Sequence, residues 1–156
     1  MAESSVPSIR VETVIAAPPE RCFDLARDVG AHVRSTAGTD ERAVAGTMAG
    51  LMGLDDEVTW EAKHLGVRQR LTARITRLDR PRMFQDEMVR GPFASMRHVH
   101  EFVPRDGGTT MVDTFTFTSP LGPLGAIVDR VFLAGYMRRL LISRGAALKG
   151  MAESAR

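Results

Sequence analysis

Residues 84–102, FQDEMVRGPFASMRHVHEF, decide how the chain is read. They divide into two β arms around a Gly-Pro turn at Gly91 and Pro92. Successive strand side chains point to opposite faces. Phe84, Asp86, Met88 and Arg90 therefore share one face of the first arm, and Met96, His98, His100 and Phe102 share one face of the second. The other face carries Gln85, Glu87, Arg97 and Glu101, which is ordinary solvent-facing chemistry. Large apolar groups interrupted by two histidines and a carboxylate suit a pocket lining better than a plain core.

Working outward, PRDGG at 104–108 turns the chain into TTMVDTFTFTS, with Met111, Asp113, Phe115 and Phe117 inward. On the other side, DRPR at 79–82 is the turn that precedes the first arm. Before it, EVTWEAKH (57–64) and VRQRLTARI (67–75) alternate cleanly about a Leu65-Gly66 turn. They place Val58, Trp60, Ala62 and His64 on one face with Val67, Gln69, Leu71, Ala73 and Ile75. Pairing His64 with Val67 sets Glu61 opposite Arg70 and Glu57 opposite Arg74. Such opposite-charge pairs are worth about 0.2–1 kcal/mol each. Lys63 falls opposite Arg68, a mismatch at the turn. Consecutive strands with short turns predict an antiparallel meander.

At the N-terminal end, Ser8 to Ala16 reads as a first strand. Pro18-Pro19 with Glu20 opens a helix in PPERCFDLARD, since proline fits a first helical turn and an acid suits its dipole. AHVRSTAG is a second short helix or an irregular turn, and Thr39 to Ala45 a weak strand. Gly46 to Asp56, GTMAGLMGLDD, has no strand or helix period and reads as a mobile flap. It contains no phosphate-loop motif. After PLGPLG at 120–125 comes one long helix, apolar nearly all round and so buried on more than one side. Arg138, Arg139, Arg144 and Lys149 complement its negative end. Gly135 marks a kink within it, and residues 1–7 and 151–156 are expected to fray.

The chain has 156 residues, 44% hydrophobic and 26% charged, with net charge +2 and pI about 9.2. One domain over 1–156 is expected. Arginines are scattered and aromatics amount to 6%, which speaks against nucleic-acid binding. No apolar run approaches the ~20 residues that span a bilayer, and no secretory signal is visible, so a cytoplasmic location is expected. The single cysteine, Cys22, reads as buried filler and excludes an internal disulfide and a cysteine zinc site. Nine methionines suit a surface that accepts varied apolar shapes.

The order of strand, two short helices, six-stranded meander and long helix resembles the helix-grip fold of the START, polyketide-cyclase and birch-pollen-allergen superfamily, SRPBCC. The carriers are VIAAPPERCFDLARDV, DDEVTWEAKHLGVRQRLTARI, RPRMFQDEMVRGPFASMRHVHEF and SPLGPLG, and they cover nearly the whole chain. The resemblance implies an α+β fold: a seven-stranded curved antiparallel sheet gripping the C-terminal helix, with a deep cavity between. It implies no single reaction, because members carry lipids, bind hormones or quinones, or cyclise polyketides with differing catalytic residues.

Register arguments gather a candidate site. Pairing Arg90 with Met96 sets Met88 opposite His98 and Asp86 opposite His100. Pairing Phe102 with Met111 sets His100 opposite Asp113 and His98 opposite Phe115. The row Asp86, His100, Asp113, with His98 beside it, is then either a self-satisfied structural group or an acid–base set. Two His and two Asp satisfy zinc or iron in number, yet no HExxH or facial-triad pattern is present. Neither a metal nor a cofactor is expected. Trp60, Leu71, Met88, Arg90, Met96, Phe115, Phe117, Val131 and Tyr136 are the expected ligand contacts. His32 and His64 read as structural or solvent-facing. The favoured function is binding of a hydrophobic small molecule: a lipid, polyketide, isoprenoid or aromatic metabolite. A polyketide cyclase- or dehydratase-like enzyme in the same cavity and a protein-interaction module are the alternatives. Stable membrane insertion is not expected, and oligomers would form through the C-terminal helix or a sheet edge.

Overall fold

The computed structural model describes residues 6–119, 127 and 132–154. Seven strands form one antiparallel sheet: β1 (Ser8–Ile15), β2 (Arg42–Gly46), β3 (Glu57–His64), β4 (Val67–Asp79), β5 (Met83–Arg90), β6 (Ser95–Arg105) and β7 (Gly108–Thr118). Their order is β1-β7-β6-β5-β4-β3-β2, a meander closed by β1 against its last strand. Helices α1 (Pro19–Ala26) and α2 (Val29–Ser35) follow β1, and α3 (Ala134–Ser154) closes the chain. This is the seven-stranded helix-grip architecture anticipated from the sequence.

Local chemistry sets these bounds. Pro18 holds the extended backbone before α1, with Pro19 and Glu20 in its first turn. The Asp28 carboxylate caps α2, accepting from the Ala31 amide at 2.8 Å. The first five residues of AHVRSTAG therefore belong to a true helix, and its Ala37 and Gly38 to a short 3₁₀ turn at Ala37–Thr39.

The β3–β4 register is the expected one, with Glu61 opposite Arg70, Glu57 opposite Arg74 and Lys63 opposite Arg68. So is β6–β7, with Phe102 opposite Met111 and His100 opposite Asp113. The β5–β6 register is not. Asp86 lies opposite His98 and Phe84 opposite His100, a slip of two residues from the expected pairing. The arms do not meet at a tight Gly-Pro turn. Their ladder ends at Glu87 and Arg97. Beyond it Arg90 pairs with Thr72 across a bulge at Val89 of β5, and Ser95 pairs with Thr118 of β7. The intervening Phe93 ring packs against Phe115 and Phe117. The apolar pull on Phe93 thus opens the hairpin.

Three further expectations change. Gly46 to Asp56 is no free flap. Val29 donates to the Gly50 carbonyl at 2.9 Å, Met52 donates to the Arg27 carbonyl at 3.0 Å, and Met52 is buried. The helix junction needed those carbonyl and amide partners, and the flap supplies them. Gln85 is buried rather than solvent-facing, its amide donating to Thr76 Oγ1 at 3.0 Å. The C-terminus does not fray at residue 151. α3 runs to Ser154, Ala152 is buried, and Arg21 donates to the Ala152 carbonyl at 2.7 Å. The anticipated helix start and Val131 lie outside the described residues.

Two apolar clusters sit between the sheet and the helices. One joins Phe23, Phe84, Phe102, Met111 and Leu148. Its Phe23 ring meets Phe84 and Phe102 edge-on at 5.4 Å each, worth about 0.5–1.5 kcal/mol per pair beyond area burial. The other joins Ile9, Val11, Met96, Phe115, Phe117 and Leu141. α3 runs over both, and it approaches β1 closely at Gly145. A Cβ there would lie 2.5 Å from Thr13 Oγ1, so any other residue would force Thr13 to move.

Candidate functional site

The sheet and helices enclose a cavity of about 710 Å³, within the range of small-molecule sites. Its walls are mainly apolar and come from both clusters, including Met52, Ile75, Phe84, Met96, Phe115 and Leu141. Trp60, Leu71 and Tyr136 line it as anticipated, and so do Asp86, His98 and His100. Asp113 stands behind the histidines, 1% exposed. Phe117 is fully buried behind Phe115 and Phe93, and Met88 packs against that cluster outside the lining. Arg90 is exposed at the strand end and lies outside the lining. Its parity is inward, but the splayed hairpin turns it to water.

The polar residues meet at the seam of the two clusters. His100 stacks on Phe84 at 4.1 Å, and His98 meets Phe115 edge-on at 5.4 Å. The two imidazoles stack on each other at 3.7 Å. Their carboxylate partners are reached diagonally, His98 to Asp113 within the expected β6–β7 register and His100 to Asp86 because of the β5–β6 slip. His100 Nε2 donates to Asp86 Oδ1 at 2.8 Å, and His98 Nε2 donates to Asp113 Oδ1 at 2.9 Å. His100 Nδ1 lies 3.1 Å from the same Asp113 oxygen, too far off line for a hydrogen bond. A row expected along one register line is thus a zigzag across three strands.

Arg144 completes this group from α3. It is 6% exposed, and its Nη1 lies 3.9 Å from Asp113 Oδ1. Nη2 donates to the Ala26 carbonyl at 3.1 Å. The sequence reading placed Arg144 among cations that complement the helix end. The structure instead buries it in the line Leu141, Arg144, Leu148, Ala152, one face of the helix. That three- and four-residue spacing was the available signal.

Electrostatics separates the two histidines. Burial opposes a charge on His100, but the adjacent Asp113 and Asp86 carboxylates outweigh it and hold its pKa above the usual value. For His98, burial and the neighbouring His100 charge win over Asp113, and its pKa falls. Burial also opposes ionisation of both carboxylates. Contact with His100 and then His98 overcomes this for Asp113, and contact with His100 does so for Asp86, so both are lowered. An ionised Asp113 only accepts, which fixes the His98 proton on Nε2 and leaves Nδ1 bare. Asp86, His98 and His100 offer ligand atoms within 4.8 Å of one another, a spacing that a metal ion accepts. The charge of Arg144 beside them disfavours a dication.

Other polar groups line the cavity nearer its periphery. His32 Nε2 contacts Glu41 Oε1 at 2.6 Å while its ring stacks on Trp60 at 4.0 Å. Burial opposes ionisation of Glu41, and the His32 contact overcomes it. His64 Nδ1 bonds the Tyr136 hydroxyl at 2.8 Å, tying the β3–β4 turn to α3. Burial lowers the His64 pKa. Neither histidine is simply solvent-facing. Glu41 follows His32 by nine residues in the loop before β2, and Tyr136 lies far along the chain on α3, and no helix or strand period announces either.

Known proteins agree with this architecture. The family model described as polyketide cyclase / dehydrase and lipid transport matches residues 6–155. No curated protein matches the sequence. A Thermus thermophilus protein is 21% identical, with a TM-score of 0.73, covering 94% of this chain and 100% of its own. An aromatase/cyclase from Streptomyces is 17% identical, with a TM-score of 0.76 and coverage of 94% and 93%. A major latex-like protein from Panax ginseng is 12% identical, with a TM-score of 0.66 and coverage of 94% and 97%. These likenesses establish the shared fold.

Proposed function

Because the chain belongs to the polyketide cyclase / dehydrase and lipid transport family, we propose that it binds a hydrophobic small molecule in the cavity between sheet and α3. The ligand is a lipid, polyketide, isoprenoid or aromatic metabolite. One observation carries the reading: a largely apolar cavity of about 710 Å³ with a compact buried group, Asp86, His98, His100 and Arg144, in its lining. Apolar walls supply affinity through buried area, and a few placed polar groups orient the ligand. In this reading residues 1–156 act as one ligand-binding domain. Native mass spectrometry of gently purified protein should show co-purified lipophilic mass. Protein that is always empty and binds no apolar dye would overturn the proposal.

A second reading, cyclase- or dehydratase-like chemistry, is favoured by the His98–His100 pair. The two stacked imidazoles have their pKa values pushed apart, His98 down and His100 up, which is how a base and an acid are kept side by side. His98 would accept the proton and His100 would stabilise developing negative charge. His98→Gln should then abolish turnover of a cyclisable polyketide substrate while keeping its affinity. Equal loss of both would mark His98 as structural.

A further inference from the structure

Arg144 is buried with most of its hydrogen-bonding capacity unused. A guanidinium has five N–H donors. Among the described residues, only the bond from Nη2 to the Ala26 carbonyl is made, and Nε has no partner. Asp113 does not satisfy the remainder. Its Oδ1 is shared with His98 at 2.9 Å and His100 at 3.1 Å, and Arg144 stands outside both at 3.9 Å. A buried cation costs several kcal/mol unless it is paired and hydrogen-bonded. An arginine retained for packing alone would be better replaced by leucine or methionine, as its neighbours on that helix face are apolar.

The side chain lines the cavity beside His98, which touches the same carboxylate oxygen. The guanidinium fork matches planar oxygen groups and carries a fixed charge. We propose that Arg144 receives an acidic oxygen of the ligand. The cavity then selects apolar acids, carboxylic acids or acidic phenols, over neutral molecules of the same shape. The inference rests on the small-molecule reading above and narrows it. The apolar body of the ligand then fills the cavity while its acid reaches Arg144 beside His98.

The test uses two matched pairs: dodecanoic acid with its methyl ester, and pentachlorophenol with its methyl ether. Trp60, the sole tryptophan, lines the cavity and reports binding by its fluorescence. Each acid should bind about tenfold or more tightly than its neutral partner if it is the source of the anion. A preference within either pair supports the inference and identifies the class. Arg144→Leu should bring the preferred acid to within about threefold of its neutral partner, and Arg144→Lys should fall between. Equal binding within both pairs by the wild-type protein overturns the inference and leaves the small-molecule reading standing. So does a preference that survives in Arg144→Leu. Binding of none of the four probes removes both. The wild-type comparison decides even where Arg144→Leu fails to fold.

Discussion

Two carboxylates in this molecule each face three basic side chains, and they do different things. Glu61, on the outer face of β3, contacts Arg42 at 2.6 Å, Arg70 at 2.8 Å and Arg68 at 3.3 Å. Asp113, on the inner face of β7, contacts His98, His100 and Arg144. Both are covered, but the cover differs. The arginines over Glu61 are 44–69% exposed, so water and salt reach their charges. The partners of Asp113 are all buried, and all three line a cavity along with Asp86. The same stoichiometry of charge therefore makes a surface clamp in one place and a poised polar wall in the other.

Asp113→Asn should break the comparison most strongly. It leaves the charges of His100 and Arg144 buried with one carboxylate fewer, which costs about 3–5 kcal/mol. Glu61→Gln frees arginines that water already solvates, so its effect on the urea midpoint should be far smaller. Equal midpoint shifts would show that the inner group is no more desolvated than the outer one.

The pH dependence should be of intermediate size and opposite in sign for the two histidines. The folded-state pKa of His100 is raised above its ordinary 6.5, burial being outweighed by Asp113 and Asp86. Its contribution is complete below the unfolded value and is lost as pH rises through the folded one. The folded-state pKa of His98 is lowered by burial and then by His100. Its contribution is complete above the unfolded value and is lost as pH falls through the folded one. In urea unfolding across the neutral range, His100→Gln should flatten the alkaline decline, and His98→Gln the decline just below neutrality. Ring nitrogen shifts in NMR should show His100 losing its proton at a higher pH than His98. Two rings titrating together at the ordinary value would refute the assignment.

Salt should produce the smallest effect and the sharpest contrast. At 1 M salt the screening length is about 3 Å. Whatever Glu61→Gln costs at low ionic strength should then vanish, whereas the cost of Asp113→Asn should persist. The arginines Arg42 and Arg70 hold the Glu61 pKa down to about 2. Its contribution is therefore present above about 4.5 and is lost as pH falls towards 2. A salt-insensitive Glu61 would move it into the class of Asp113.

How far the sequence could be read follows the same division. Glu61 opposite Arg70 was legible because a two-residue turn and strict alternation fix a hairpin register. His100 opposite Asp113 was legible for the same reason. Asp86 was placed one pair wrong, since Phe93 packing into the core opened its hairpin. The contact with His100 survived because side chains two residues out of register still reach each other diagonally. Arg144, Glu41 and the His64–Tyr136 bond escaped, because helix, loop and sheet meet there without any local spacing to announce it.

The sequence by itself determined the order of the consecutive meander strands, most of the inner faces and the presence of polar residues on an apolar surface, because alternation and turn chemistry act over a few residues. Only the tertiary structure decided which polar atoms meet, which histidine keeps its proton and which arginine is left with idle donors facing the cavity. Those outcomes depend on desolvation and on distances across elements far apart in the chain, and both exist only once α3 has closed over the sheet.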